Sequence, residues 1–248
     1  MASTLTHNPP TTVLRDLLGV FKLRIGFAIT LTALAGAAIT PGPPLNVTQA
    51  LALCVAIFIS SAAAGAFNQL YERDIDSLMR RTQTRPFASG RFSHRSHWLL
   101  GIAALLLVAV FTAWRGLNAW SALFVLLGAF FYGVIYTVWL KRRTWLNIVV
   151  GGLAGSWAVL AGAAAVGAPF DAHAMALALV LFLWTPPHFW SLAIAYQKDY
   201  VDAAIPMLPV VIGERRAGRA VLIGAVALLI ASLLPGLLGA VKRNLDRG

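Results

Sequence analysis

Apolar and polar positions alternate along this chain in blocks. Seven mostly apolar runs, at about 25–40, 48–68, 98–114, 118–140, 146–167, 173–195 and 220–241, are separated by short charged segments. A run of roughly 17–25 such residues is long enough to cross a bilayer as a helix. No repeat of 20–50 residues recurs, which excludes a solenoid. The pattern predicts an all-α fold, a polytopic transmembrane helical bundle of about seven spans. Residues 1–248 then form a single transmembrane domain, with 1–24 as an N-terminal segment before the first span.

Composition narrows the class. Of 248 residues, 59% are hydrophobic and 12% are charged, against about a quarter charged in an ordinary soluble domain. That excludes a disordered chain, a collagen-like fibre, a disulfide-rich secreted domain and a soluble enzyme. The single cysteine, Cys54, supports neither a disulfide framework nor a cysteine metal site. A net charge of +11 would suit nucleic acid if it were spread over a folded surface. Here it is clustered between spans, so the partner is the lipid bilayer and no nucleic acid is expected. Arg15, Lys22 and Arg24 precede span one, and the groups around Arg73–Arg95, Lys141–Arg143 and Lys198–Arg219 fall on the same side. Only Arg115, Lys242, Arg243 and Arg247 fall on the other. The positive-inside bias places the N-terminus in the cytoplasm.

The acidic residues are few, nine in all, and concentrate in two cytoplasmic segments, Asn68–Asp76 and Lys198–Asp202. Asn68, Glu72 and Asp76 are spaced i, i+4, i+8 and stack along one face of the helix that leaves span two. Asp74 points to the opposite side. Asp199 and Asp202, i and i+3, share a face where that segment is helical. Ordinary loop carboxylates paired with neighbouring arginines would account for such groups singly. Stacked carboxylates, however, repel each other unless a cation neutralises them. Oxygen ligands without sulfur or imidazole suit Mg²⁺, which keeps waters and binds through one or two carboxylates plus substrate phosphates. Arg80, Arg81 and Arg85 follow directly, a basic set of the kind that clamps phosphoryl groups. Topology explains arginines in general, and a diphosphate site explains their place beside an acidic face.

These residues carry a resemblance. Asn68, Glu72 and Asp76 are similar to an NxxxDxxxD motif with Glu in the middle place. Asp76, Met79, Arg81, Thr82, Arg85 and Pro86 fit D-x-x-M-x-R-T-x-x-R-P. Leu140-Lys141-Arg142-Arg143-Thr144 through Asn147-Ile148, Thr185-Pro186-Pro187-His188, and Lys198-Asp199-Tyr200 through Pro209 follow in order. The sequence resembles the UbiA-type intramembrane prenyltransferases and, among them, the protoheme IX farnesyltransferase (heme O synthase) branch. The resemblance implies transfer of the farnesyl group of farnesyl diphosphate to a vinyl group of heme B, in a bacterial cytoplasmic (inner) membrane. It implies Mg²⁺ as cofactor, with Asn68, Glu72, Asp76 and Asp199 as catalytic metal–diphosphate ligands. It assigns Arg81, Arg85, Lys141 and Lys198 to the diphosphate and His188 to a heme contact. Heme A synthase or a terminal oxidase assembly would receive the product. Among Tyr71, Tyr136, Tyr196 and Tyr200, ring faces could stabilise an allylic cation.

The chain departs from that family in three ways. The stretch Ser156–Ala163 lacks the usual Pro-Pro and Gly-Trp, Asp199 and Asp202 are three apart where the second motif is DxxxD, and the family has nine spans. The last departure, with Lys242, Arg243 and Arg247 on the wrong side, leads to the expectation of a truncated C-terminus. Alternatives are a non-catalytic heme-binding homologue, a prenyltransferase for another ring acceptor, and an ion pathway. Against the last, the acids gather at one membrane face and not at mid-span.

Overall fold

The computed structural model describes residues 10–238, which are helical apart from short connections and a longer stretch of turns at 77–95. Lys242, Arg243 and Arg247 lie outside this range. Among the described residues seven helices are long and apolar enough to cross a membrane: Val13–Ile39, Val47–Tyr71, Ser96–Gly116, Ala119–Leu140, Asn147–Ala165, Ala172–Ala195 and Glu214–Leu238. Each overlaps one of the seven runs in the sequence, although the first begins at Val13, inside the stretch 1–24 expected to precede it, and the chain is an integral membrane protein.

Within this frame the elements are α1 (Pro10–Val20), α2 (Leu23–Ile39), α3 (Val47–Tyr71), α4 (Arg73–Asp76), α5 (Ser96–Gly116) and α6 (Ala119–Phe130). There follow a π-helical segment (Phe131–Leu140), α7 (Asn147–Gly151), α8 (Leu153–Ala165), α9 (Ala172–Ala195), α10 (Gln197–Asp202), α11 (Leu208–Ile212) and α12 (Glu214–Ser232). Polar caps set the helix starts. Asn46 and Gln49 form a reciprocal capping box on α3, Asn118 accepts from the Ser121 amide on α6, and Asp171 accepts from the His173 and Ala174 amides on α9. These bonds satisfy amides that no earlier turn can reach.

The most buried span is the one ending in α8, which packs against α2, α6 and α9. Its partners approach closely because Gly, Ala and Ser leave the backbones exposed to one another, the usual way for helices to associate where lipid competes for larger side chains. Ser156 and Ser121 add hydrogen bonds to the carbonyls of Ala178 (2.8 Å) and Ala161 (3.1 Å). The core between these helices is mostly Ala, Val and Leu. The absence of Pro-Pro in Ser156–Ala163 leaves this stretch as unbroken helix.

Two local features depart from plain spans. Lys22, at φ 49° and ψ 45°, interrupts the first span between α1 and α2, a left-handed conformation that non-glycine residues seldom adopt. The fourth span changes from α to π winding at Phe131. Both features lie at the site described next.

Candidate functional site

A cavity of about 1800 Å³ opens at the end of the bundle where α3, α4 and the π segment finish. Ordinary small-molecule sites measure about 300–1,000 Å³, so this one has room for two sizeable ligands. Its polar end is lined by Lys22, Asn68, Glu72, Asp76, Arg81, Arg85 and Lys141. Its other walls are apolar and come from α2, α8, α9 and α12, with Ile29, Ala158, Leu181 and Leu228 among them.

The acidic face of α3 and α4 forms one wall. Asn68, Glu72 and Asp76 are 3%, 1% and 2% exposed. Each is met by a cation from a different segment. The Lys22 ammonium donates to Asn68 Oδ1 at 2.7 Å. Lys141 donates to Glu72 Oε2. Arg85 donates to both oxygens of Asp76, at 3.0 and 2.8 Å. Buried ion pairs contribute little net stability because desolvation offsets the attraction, whereas leaving one partner alone is costly. Their presence here therefore points to ligand chemistry. Glu72 Oε1 has no hydrogen-bond partner although it is buried, an acceptor left free in the cavity wall.

The π segment explains how Lys141 reaches this wall. In an α-helix nine residues turn through about 900°, which would leave Lys141 opposite Tyr132. π winding takes up about one more residue per turn. The Lys141 backbone amide donates to the Tyr136 carbonyl five residues back at 2.9 Å, and the Thr137 hydroxyl donates to the Tyr132 carbonyl at 2.8 Å. Tyr132, Tyr136 and Lys141 consequently share the cavity face, and Thr137 accepts from Asn68 Nδ2 at 3.1 Å. Of the four tyrosines weighed from sequence, Tyr136 and Tyr200 line the cavity, Tyr71 and Tyr196 do not, and Tyr132 joins them.

The second acidic segment approaches from α10. Asp199, 7% exposed, accepts from the Arg81 backbone amide at 3.3 Å. The Arg81 guanidinium donates to the Tyr200 hydroxyl at 3.2 Å and lies over the Tyr196 ring. Burial raises the Tyr200 pKa above its usual value, against the opposing Arg81 charge, so the phenol stays protonated. Asp199 therefore braces the Arg81 loop, outside the cavity lining. Among the described residues no three His, Cys, Asp or Glu side chains converge on a point that would hold one ion.

Two side chains point elsewhere. Lys198, with its side chain 71% exposed, pairs at 3.8 Å with Asp202 and does not line the cavity. The structure does not bring it to the diphosphate set implied by the sequence resemblance, because on α10 it faces away from Asp199. Asp74 is paired on the outer surface with Arg142, which donates two 2.8 Å bonds and holds its carboxyl below the usual range. Lys198→Ala is accordingly expected to change turnover by less than about threefold, since exposed charges of this kind couple weakly to a distant site; a steady-state assay beside the wild type checks it.

His188 follows Pro186 and Pro187, which both lie inside the continuous helix α9. Proline removes two backbone amides there, and the Thr185 hydroxyl donates to the Leu181 carbonyl at 2.9 Å. The imidazole stacks on Trp184, ring centres 4.3 Å apart, and lines the cavity. Lys22, Tyr132 and Thr137 were not singled out from sequence. Lys22 had a signal, since a lysine between Leu17–Phe21 and Leu23–Thr30 lies inside a helical stretch where charge is expensive.

A helical membrane bundle with a large internal cavity, acidic and basic at one membrane face and apolar elsewhere, defines an integral membrane protein with a site for an anion bearing an apolar tail. The chain belongs to the UbiA prenyltransferase family, whose profile matches residues 29–242. It is 54% identical over 230 residues to a protein of Paramagnetospirillum magneticum (strain AMB-1) named protoheme IX farnesyltransferase 2, covering 93% of this chain and 80% of that one. It is 41% identical over 227 residues to a protoheme IX farnesyltransferase of Parvibaculum lavamentivorans (strain DS-1), covering 91% and 70%. In fold it is similar to a UbiA homolog from Archaeoglobus fulgidus bound to GPP and Mg²⁺, with a TM-score of 0.76 and 20% identity over 90% of this chain and 78% of that one.

Proposed function

We propose that this chain transfers the farnesyl group of farnesyl diphosphate to a vinyl group of heme B, with addition of water, giving heme O and diphosphate. The observation that carries the reading is the Asn68–Glu72–Asp76 wall, each member capped by a cation, at the mouth of a cavity large enough for both substrates. The names of the relatives, at 54% and 41% identity over most of the chain, support the acceptor.

Asn68, Glu72 and Asp76 are the residues that would hold Mg²⁺. They fit it in donor chemistry, all oxygen, and Glu72 Oε1 is a buried acceptor without a partner. Mg²⁺, when bound, supplies Lewis-acid stabilisation of the charge on the departing diphosphate. Asp199 fixes the Arg81 loop against α10, so its part is to position Arg81. Arg81, Arg85 and Lys141 orient the diphosphate and oppose its growing charge. Tyr132, Tyr136 and Tyr200 present rings to the allylic cation left behind, and the apolar walls of α2, α8 and α12 exclude stray water from it. His188 contacts the heme: among the described residues no protein group hydrogen-bonds its ring nitrogens, and its ring lies flat against Trp184 in the cavity wall. The chain acts as one transmembrane domain in a bacterial inner membrane, N-terminus inside, and heme O passes to a heme A synthase or terminal oxidase assembly.

Heme extraction and chromatography, after membranes containing the chain are incubated with heme B and farnesyl diphosphate, test the reading. A heme O peak that needs added Mg²⁺ is the expected result. Folded protein that yields no peak would instead be a heme-binding homologue without catalysis.

A further inference from the structure

Of the three cations that meet Asn68, Glu72 and Asp76, Lys22 is the one whose partner is neutral. Lys141 and Arg85 each neutralise a carboxylate. Lys22 is held by the Asn68 carbonyl oxygen at 2.7 Å and the Tyr132 hydroxyl at 3.1 Å. Among the described residues, no carboxylate lies within ion-pairing distance of it. An ammonium drawn into a cavity wall without an anion is unfavourable, and here it is placed by a left-handed residue between two helices, a costly conformation that persists where the surroundings impose it. Its stem lies on α3, where a Cβ at Gly65 would meet Lys22 Cδ at 3.3 Å.

Asn68 has a single atom to offer a metal. Its Nδ2 donates to Thr137, leaving Oδ1, and Lys22 occupies that oxygen. We propose that Lys22 blocks Asn68 Oδ1 in the free protein and moves onto the diphosphate when metal and diphosphate arrive together, so that the site binds the two cooperatively. Metal alone would displace an ammonium that has no anion to move to. Diphosphate alone would compete with the acidic wall for Lys22, Lys141 and Arg85. Together they let each cation exchange one oxygen partner for another. This inference rests on the site reading above and adds a residue and an ordering to it.

The test uses the detergent-solubilised chain with Mn²⁺ and inorganic pyrophosphate. Mn²⁺ binding is read by electron paramagnetic resonance, and labelled pyrophosphate by equilibrium dialysis at fixed free Mn²⁺. In the wild type each ligand is expected to tighten the other by at least about fivefold, within the usual range of coupling. Lys22→Gln should bind Mn²⁺ alone as well as or better than the wild type and lose most of that coupling, while Lys22→Arg should retain it. Unchanged coupling in Lys22→Gln, or equal weakening of Mn²⁺ with and without pyrophosphate, overturns the inference. Asp76→Asn separates it from the underlying reading: if that variant still binds Mn²⁺ and pyrophosphate normally, the site itself is misassigned. Should Lys22→Gln not fold, acylation of Lys22 in the wild type, mapped by mass spectrometry, decides. Protection is expected with Mn²⁺ plus pyrophosphate and not with Mn²⁺ alone, and any other pattern overturns it.

Discussion

Asp76→Asn should lower heme O formation by about 10²–10³-fold, the loss seen when one preorganised electrostatic contact to a developing charge is removed. The substitution preserves shape and removes only charge. Asp76 is 2% exposed and receives both of its contacts from one Arg85 nitrogen, so the variant takes the charge from a ligand of the proposed metal and loosens a guanidinium that was held in place. Glu72→Gln should act alike through Lys141. Because the two carboxylates belong to one charged assembly, the double variant should fall well short of the product of the single effects. Single-turnover rates, with helicity followed by circular dichroism, give the comparison. Near-wild-type heme O formation in both variants would remove the carboxylates from the mechanism and with them the assignment of this wall.

The bilayer made much of the architecture readable in one dimension. Lipid demands long apolar helices, so the seven runs mark the seven spans, most ends displaced by a few residues while the first span starts as early as Val13. The i, i+4, i+8 spacing likewise places Asn68, Glu72 and Asp76 on one wall, because the Glu72 amide still bonds the Asn68 carbonyl and the Asp76 amide the Glu72 carbonyl, carrying helical spacing from α3 into α4. What spacing does not carry is local winding. The span containing Tyr132 and Lys141 reads as ordinary helix, and only the change to π hydrogen bonding turns both toward the cavity. The left-handed Lys22 has no glycine to announce it, and counting it as a topology charge removed it from the candidates. Lys198 and Asp199 are neighbours in sequence, yet burial of one exposes the other, since a six-residue helix has only one inner face.

Gly162→Leu should leave little folded protein, and Gly162→Ala should already lower the melting temperature markedly. A Cβ at Gly162 would sit 1.9 Å from the Ala33 carbonyl oxygen, and one at Gly36 would sit 2.3 Å from the Val159 carbonyl oxygen. These obstacles are backbone, which cannot rotate away, so α2 and α8 would have to separate by more than 1 Å. Overpacking of this kind costs about 1–3 kcal/mol and more when the whole helix must move. The cost here falls on the span with the greatest share of its residues buried, whose other neighbours, α6 and α9, would shift with it. Gly218, on α12, is the control: nothing lies within 4 Å of a Cβ there, so Gly218→Ala should melt at or slightly above the wild type. Thermal melting in detergent measures all three. Similar midpoints for Gly162→Ala and Gly218→Ala would mean that the α2–α8 contact is not the tight junction described. A lower midpoint for Gly162→Ala alone would tie bundle stability to two of the helices that form the apolar walls of the cavity, one of which carries Lys22 at its N-terminal boundary.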